Sequence, residues 1–249
     1  AQDRKQGSAG GTGAIIEHAD VRRMLATMKA DTFAARAIAM ACAVAIDLSD
    51  DAAWNARAAF LTPIAKAFGT DIGISVAETG VQVHGGMGFI EETGAAQYAR
   101  DVRVTAIYEG TNGIQAMDLV SRKMMDGGEA AFALLDEIEA GSEAARTAHP
   151  DLAEAVWQAA ESLREATEWL VSQDDLNDRF AGAVPYLRAF ARILGGHYHL
   201  TAAMTGDAPR ARLAAFYIQR LLPEHIGLLT HVRQGADGLL AVTPDDLVA

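Results

Sequence analysis

The 249-residue sequence predicts an all-α fold, and three observations carry that expectation. Aromatic residues make up only 6% of the chain while alanine is abundant, a mixture suited to long, closely packed helices rather than a sandwich or barrel. Apolar or small side chains recur at four-three spacing from Val21 through Leu25, Met28, Thr32, Ala35, Ala39 and Cys42 to Ile46, the mark of one long bundle helix. The breaks between such stretches are short Gly, Asp and Pro clusters: GGMG at 85–88, DGG at 126–128 and TGDAP at 205–209.

Taken in order, Asp20 is the expected N-cap of the first helix, which closes at Asp47 to Asp51. A second helix runs from Ala52 to Phe68, kinked at Pro63 and stopped by Gly69; Thr70 and Asp71 cap a third, carried by Ile72, Val76 and Val83. The glycine cluster at 85–88 requires a loop. Residues 92–103 form a fourth helix, TAIYEGTNG interrupts, and Ile114 to Met125 resumes the helical pattern. These elements predict a four-helix up-down bundle over residues 1–125. The composition shifts at Asp126-Gly127-Gly128, so a boundary is expected near 126, with a second helical bundle over 126–249. Its helical stretches run up to a polar break at 172–179, then over roughly 180–204 and 208–234.

Bulk properties exclude several functions. A formal net charge of −12 argues against a broad nucleic-acid surface, which needs clustered Lys and Arg. One cysteine, Cys42, cannot form an internal disulfide, and among Ala41, Ala43 and Val44 it reads as a buried small hydrophobe in a reducing, cytoplasmic compartment. No stretch reaches the roughly 20 apolar residues of a membrane span. The opening AQDRKQGSAGG has no signal-peptide pattern and reads like mid-helix, so the chain is expected to be a piece of something longer.

Few motifs remain for chemistry. QVHGGMGF, from Gln82 to Phe89, imitates a dinucleotide fingerprint but follows a helix instead of a strand, so a Rossmann site is excluded and only a close-approach backbone remains. The GSAGGTG segment at 7–13 is a weak phosphate-loop candidate or a simple connection. His197 and His199 stand two apart on a helix, facing different sides, and with no HExxH pattern a metal site is not expected. Glu109, between Tyr108 and Gly110 in a break between helices, is a carboxylate that an apolar cleft wall would turn into a general base, or else a solvated loop residue.

Three strings, QVHGGMGF, RDVR at 100–103 and AIYEGTNGIQ at 106–115, together resemble the acyl-CoA dehydrogenases in order and spacing, and match the carboxy-terminal helical domain of those flavoenzymes. The resemblance implies that Glu109 is the catalytic base, Gly110 a backbone position beside the substrate thioester, and Thr111, Gly113 and Gln115 neighbours of FAD. It implies that Gln82, Gly85 and Gly86 lie against the adenosine end of an FAD bound mainly to a neighbouring subunit, and that Arg4 and Gln6 face its pyrophosphate. The implied reaction is α,β-desaturation of an acyl-CoA, with Glu109 taking the α-proton and hydride passing to flavin N5. An electron-transfer flavoprotein and a homo-oligomer, dimer or tetramer, are the implied partners. Residues 129–249, with LAAFYIQRLLPEHIGLL and GAD, resemble the extra carboxy-terminal domain of the branch that includes the 3-methylmercaptopropionyl-CoA dehydrogenases. An acyl-CoA oxidase and a purely structural assembly module stand as alternatives, and the isolated chain is expected to be inactive.

Overall fold

The computed structural model describes residues 11–248, and among these every regular element is helical. Arg4 and Gln6 lie outside the described residues.

The long first helix, α1, spans Ala19–Asp47. Its N-cap is His18, not Asp20; Asp20 sits in the first turn, where its carboxylate accepts from Arg23 Nε at 2.8 Å. Asp51 then caps α2 by accepting from Ala53 N at 2.9 Å and Trp54 N at 3.2 Å.

The largest departure from expectation is α2, a single helix over Ala52–His84 that passes through Pro63 and Gly69 without ending. Phe60, Leu61, Ile64, Ala67, Phe68 and Ile72 are all buried along one continuous face, so burial holds the helix through the glycine. The expected caps do other work: the Thr70 hydroxyl donates back to Lys66 O at 2.9 Å, and Asp71 accepts from Asn112 at 2.7 Å. The helix stops at Gly85, whose φ of +63° suits glycine.

The expected GGMG loop is instead one helical turn, α3, Gly86–Phe89. A Cβ at Gly88 would come within 2.2 Å of Val81 O, so only glycine lets this turn fold against α2. Gly94, at φ +78°, delays α4 to Ala95–Arg103, and α5 follows at Asn112–Val120.

Gly127 and Gly128, both at φ +83°, turn the chain into α6 (Glu129–Ala145), followed by α7 (Pro150–Ser172), the short α8 (Leu176–Ala181) and α9 (Ala183–Ala203). The stretch expected as one helix over 208–234 is two, α10 (Ala208–Arg220) and α11 (Glu224–Val232). Pro223 supplies no N–H between them, so the ladder cannot continue. A final turn, α12, spans Asp237–Leu240.

One core joins all of this. Helix α9 packs against α1, α2 and α5 on one side and α6, α7, α10 and α11 on others, and it is buried nearly all round. The polar groups it buries are paired across the fold. Arg192 donates to Asp31 of α1 and to Glu224 at 2.8–2.9 Å, and lies between the rings of Phe68 and Tyr217 at 5.5 and 5.3 Å. The Tyr217 hydroxyl donates to Arg192 O at 3.0 Å. His199 stacks on Tyr217 at 4.4 Å, with Nε2 3.1 Å from Ala30 O, and burial pushes its pKa down to about 4. Cys42 is buried and free.

Candidate active-site loop

The segment from Tyr108 to Thr111 is held by its backbone. Lys66, on α2, donates from Nζ to Tyr108 O at 3.0 Å and also to Gly110 O, so one ammonium grips the carbonyls on both sides of Glu109. Gln115 Nε2 donates to Glu109 O at 3.2 Å. Asn112 Nδ2 donates to Thr70 Oγ1, Asp71 Oδ1 and Ala67 O at 2.9, 2.7 and 3.2 Å, fastening the start of α5 to the middle of α2. Thr111 caps α5 by accepting from Ile114 N at 3.4 Å.

Within this frame Glu109 adopts φ +52°, and among the described residues no other non-glycine residue has positive φ. Such a conformation costs an ordinary residue about 1–2 kcal/mol, and it persists here because three hydrogen bonds from Lys66 and Gln115 fix the carbonyls of residues 108–110. Gly110, at φ +83°, continues the turn, and a Cβ there would lie 3.2 Å from the Gln115 amide that braces it.

The carboxylate of Glu109 is exposed, among the exposed apolar side chains Ile107, Tyr108 and Ile114. The cleft wall expected from sequence is therefore not supplied over Glu109 by these residues. An apolar cavity of about 430 Å³, lined by Met28, Val76, Ala77, Tyr98 and Val102, lies between α1, α2 and α4 and contains neither Glu109 nor its supports.

The structure brings Glu109, Gly110, Thr111, Gly113 and Gln115 together on one loop and helix start. It does not join them to Gln82, Gly85 and Gly86. Lys66 and Gln82 are sixteen residues apart on α2, about 24 Å of helix, so the second group stands at the far end of that rod. There Gln82 is exposed, and a Cβ at Gly86 would meet nothing within 4 Å. Of the 7–13 segment, residues 7–10 lie outside the described residues; at Thr12, N and Oγ1 donate to the Glu17 carboxylate at 2.9 and 2.7 Å, so these donors are engaged within the chain. His197 faces Glu137 at 3.7 Å, and no group of three or more His, Cys, Asp or Glu among the described residues could hold a metal ion.

The sequence pattern marks Thr70 and Asp71 only as helix caps and assigns no role to Lys66 or Asn112. Lys66 left a trace, a lone cation within the apolar run Phe60 to Ile72, and Asn112 lay unassigned inside the EGTNG string.

Residues 1–124 match the family model of the acyl-CoA dehydrogenase C-terminal domain, and residues 134–243 match that of an acetyl-CoA dehydrogenase C-terminal-like domain. The chain belongs to the acyl-CoA dehydrogenase family. Among acyl-CoA dehydrogenase relatives, the 3-methylmercaptopropionyl-CoA dehydrogenase of Ruegeria pomeroyi is 40% identical over 231 residues, 85% of this chain and 39% of that protein. A butyryl-CoA dehydrogenase of Syntrophomonas wolfei is 31% identical over 244 residues, 86% of this chain and again 39% of the relative. The chain thus spans about two fifths of the length of these curated acyl-CoA dehydrogenases. The fold is shared with an acyl-CoA dehydrogenase complexed with FAD from Bacillus anthracis, with a TM-score of 0.72 at 19% identity, covering 100% of this chain and 46% of that one.

Proposed function

We propose that this chain is the carboxy-terminal part of an FAD-dependent acyl-CoA dehydrogenase that desaturates acyl-CoA thioesters between the α and β carbons, with Glu109 as the catalytic base. The observation that carries the reading is the left-handed Glu109, braced by Lys66 through the carbonyls of Tyr108 and Gly110 and by Gln115 through its own carbonyl, while its carboxylate is left free. A base that must meet a weakly acidic α-proton gains from such positioning, since proximity and orientation lower the barrier before any proton moves. Glu109 takes the α-proton, Gly110 leaves room for the thioester beside it, and Lys66 keeps the loop from recoiling.

The residues present fit FAD contacts at two separate places. Gln82 is exposed, Gly86 has open space where a side chain would stand, and Thr111 and Gly113 lie at the start of α5. Gln82, Gly85 and Gly86 would hold the adenosine end, while Thr111, Gly113 and Gln115 would approach the part nearer the substrate. Bound FAD would supply the acceptor for the hydride leaving the β-carbon. The 24 Å of α2 between the two groups supports the reading that each serves a different FAD of an oligomer.

The two family matches support a division of the chain near residue 126, with the second unit in a packing role. No helix among the described residues is long and apolar enough to cross a membrane. An electron-transfer flavoprotein partner, a homo-oligomer and a cytoplasmic location belong to the same proposal. The exposure of Glu109 supports the view that these 249 residues alone do not turn over substrate.

The test joins the chain to the remaining length seen in its relatives and follows anaerobic bleaching of the bound flavin by an acyl-CoA. Glu109→Gln is expected to slow bleaching roughly 10²–10⁴-fold, the usual worth of a positioned base. Undiminished bleaching in that variant refutes the role.

A further inference from the structure

The charge of the chain is unevenly placed. Helices α1 and α10 carry seven Lys and Arg (Arg22, Arg23, Lys29, Arg36, Arg210, Arg212 and Arg220) against three carboxylates, a net of +4, which leaves −16 on the rest. Of those carboxylates, Asp31 is buried against Arg192 and Asp20 is held by Arg23.

The two helices run side by side in opposite directions, and the seam between them opens into two grooves. One, of about 510 Å³, is lined by Lys29, Thr32, Phe33, Arg36, Met40 and Arg210. The other, of about 610 Å³, lies between Arg22, Arg23, Phe216 and Arg220. Arg210 sits over the Phe33 ring at 5.2 Å, so the first groove combines an aromatic floor with a guanidinium, and Met40 beside it is 65% exposed. Among the described residues Lys29, Arg36, Arg210 and Arg220 form no ion pair with any carboxylate. Arg57, Arg146, Arg164 and Arg188, elsewhere in the chain, are each paired with a carboxylate.

We propose that the α1–α10 seam is a docking surface for an acidic segment of another protein. Its carboxylates would pair with Lys29, Arg36, Arg210 and Arg220, and its apolar side chains would rest on Phe33, Met40 and Phe216. Arg22 and Arg36 are fourteen residues apart on α1, about 21 Å, a span that a single phosphate or nucleotide cannot bridge but an extended or helical segment can. A long nucleic acid is disfavoured because its phosphates would also meet the −16 outside the seam. A short acidic segment meets only the seam. Charge complementarity of this kind chiefly sets the rate and specificity of encounter.

The test measures fluorescence anisotropy of a labelled glutamate-rich peptide of about 16 residues with leucines along one helical face, long enough as a helix to span the seam. The wild-type chain is expected to bind it, with affinity falling as salt rises. The triple reversal K29E/R36E/R210E should weaken binding roughly 10-fold or more, as expected for three exposed pairs each worth about half a kcal/mol. R122E/R233E, two exposed guanidiniums elsewhere, should bind as wild type does. Circular dichroism checks that both variants keep their helices. Equal binding by the triple reversal overturns the proposal. So does tighter binding of an oligodeoxynucleotide or a phosphatidylserine vesicle than of the peptide, and so does self-association abolished by the reversal, which would make the occupant a second copy.

Discussion

The loop around Glu109 and the interior around Arg192 spend their polar groups in opposite ways. At the loop, Lys66, Asn112 and Gln115 bond chiefly to backbone carbonyls and neighbouring side chains, and the one carboxylate of the turn is left unengaged. At Arg192 every charge is consumed: Asp31, Arg192 and Glu224 satisfy one another under rings, with Arg192 only 3% exposed. The first arrangement fixes a backbone conformation and leaves the Glu109 carboxylate without a partner. The second fastens helices from the two halves of the chain together, and has nothing left to offer a ligand.

This contrast predicts where substitutions register. Asp31→Leu strands the Arg192 guanidinium in the core with only Glu224 as its counter-charge, and unfolding in urea should show a loss of about 3–5 kcal/mol. A loss below 1 kcal/mol would mean the network is not sealed. Acid sharpens the same point. His199 is held neutral in the fold with a pKa of about 4, below the ordinary value near 6.5, and burial lowers His197 and His225 as well. The unfolded chain therefore binds more protons, so the stability these groups provide is complete above about pH 6.5 and drains away as pH falls towards 4. Burial raises the Asp31 pKa, which acts with the opposite sign. Comparing His199→Phe with wild type across that window isolates the histidine: the variant should show the shallower slope.

On the loop side the effects on stability are small. Lys66→Met should cost about 1 kcal/mol, the net worth of a hydrogen bond or two at an exposed site, yet in the extended enzyme it should lower turnover more than it lowers the melting temperature. Smallest of all, Glu109→Gly should raise stability by roughly 0.5–1 kcal/mol, because glycine tolerates φ +52°.

Both regions were unequally legible in the sequence. The α1 stripe, the stop at Asp51, the break at Gly85 and the gap before α5 follow from local pattern, and the structure has them within a few residues. Gly69 misled because helix continuity there is decided by the burial of Phe68 and Ile72. Pro223 was visible but unweighed. The role of α9 was hidden for a physical reason: a helix buried on all sides shows no clean amphipathic period. Asp31 and Arg192 lie 161 positions apart, and Lys66 grips a carbonyl 42 positions away, so neither pairing leaves a local signature. The break between helices that holds Glu109 was legible through its motif. Its left-handed backbone and the clamp that imposes it were not.

In the proposed reaction the held, exposed carboxylate of Glu109 removes the α-proton. The direct measurement is mass-spectrometric exchange of the substrate α-hydrogen with deuterium oxide, in the chain extended to the length of its relatives, comparing wild type with Glu109→Gln. Exchange is expected in the wild type and is lost in the variant, with flavin binding and melting temperature unchanged. Exchange that continues at the wild-type rate in Glu109→Gln would contradict it.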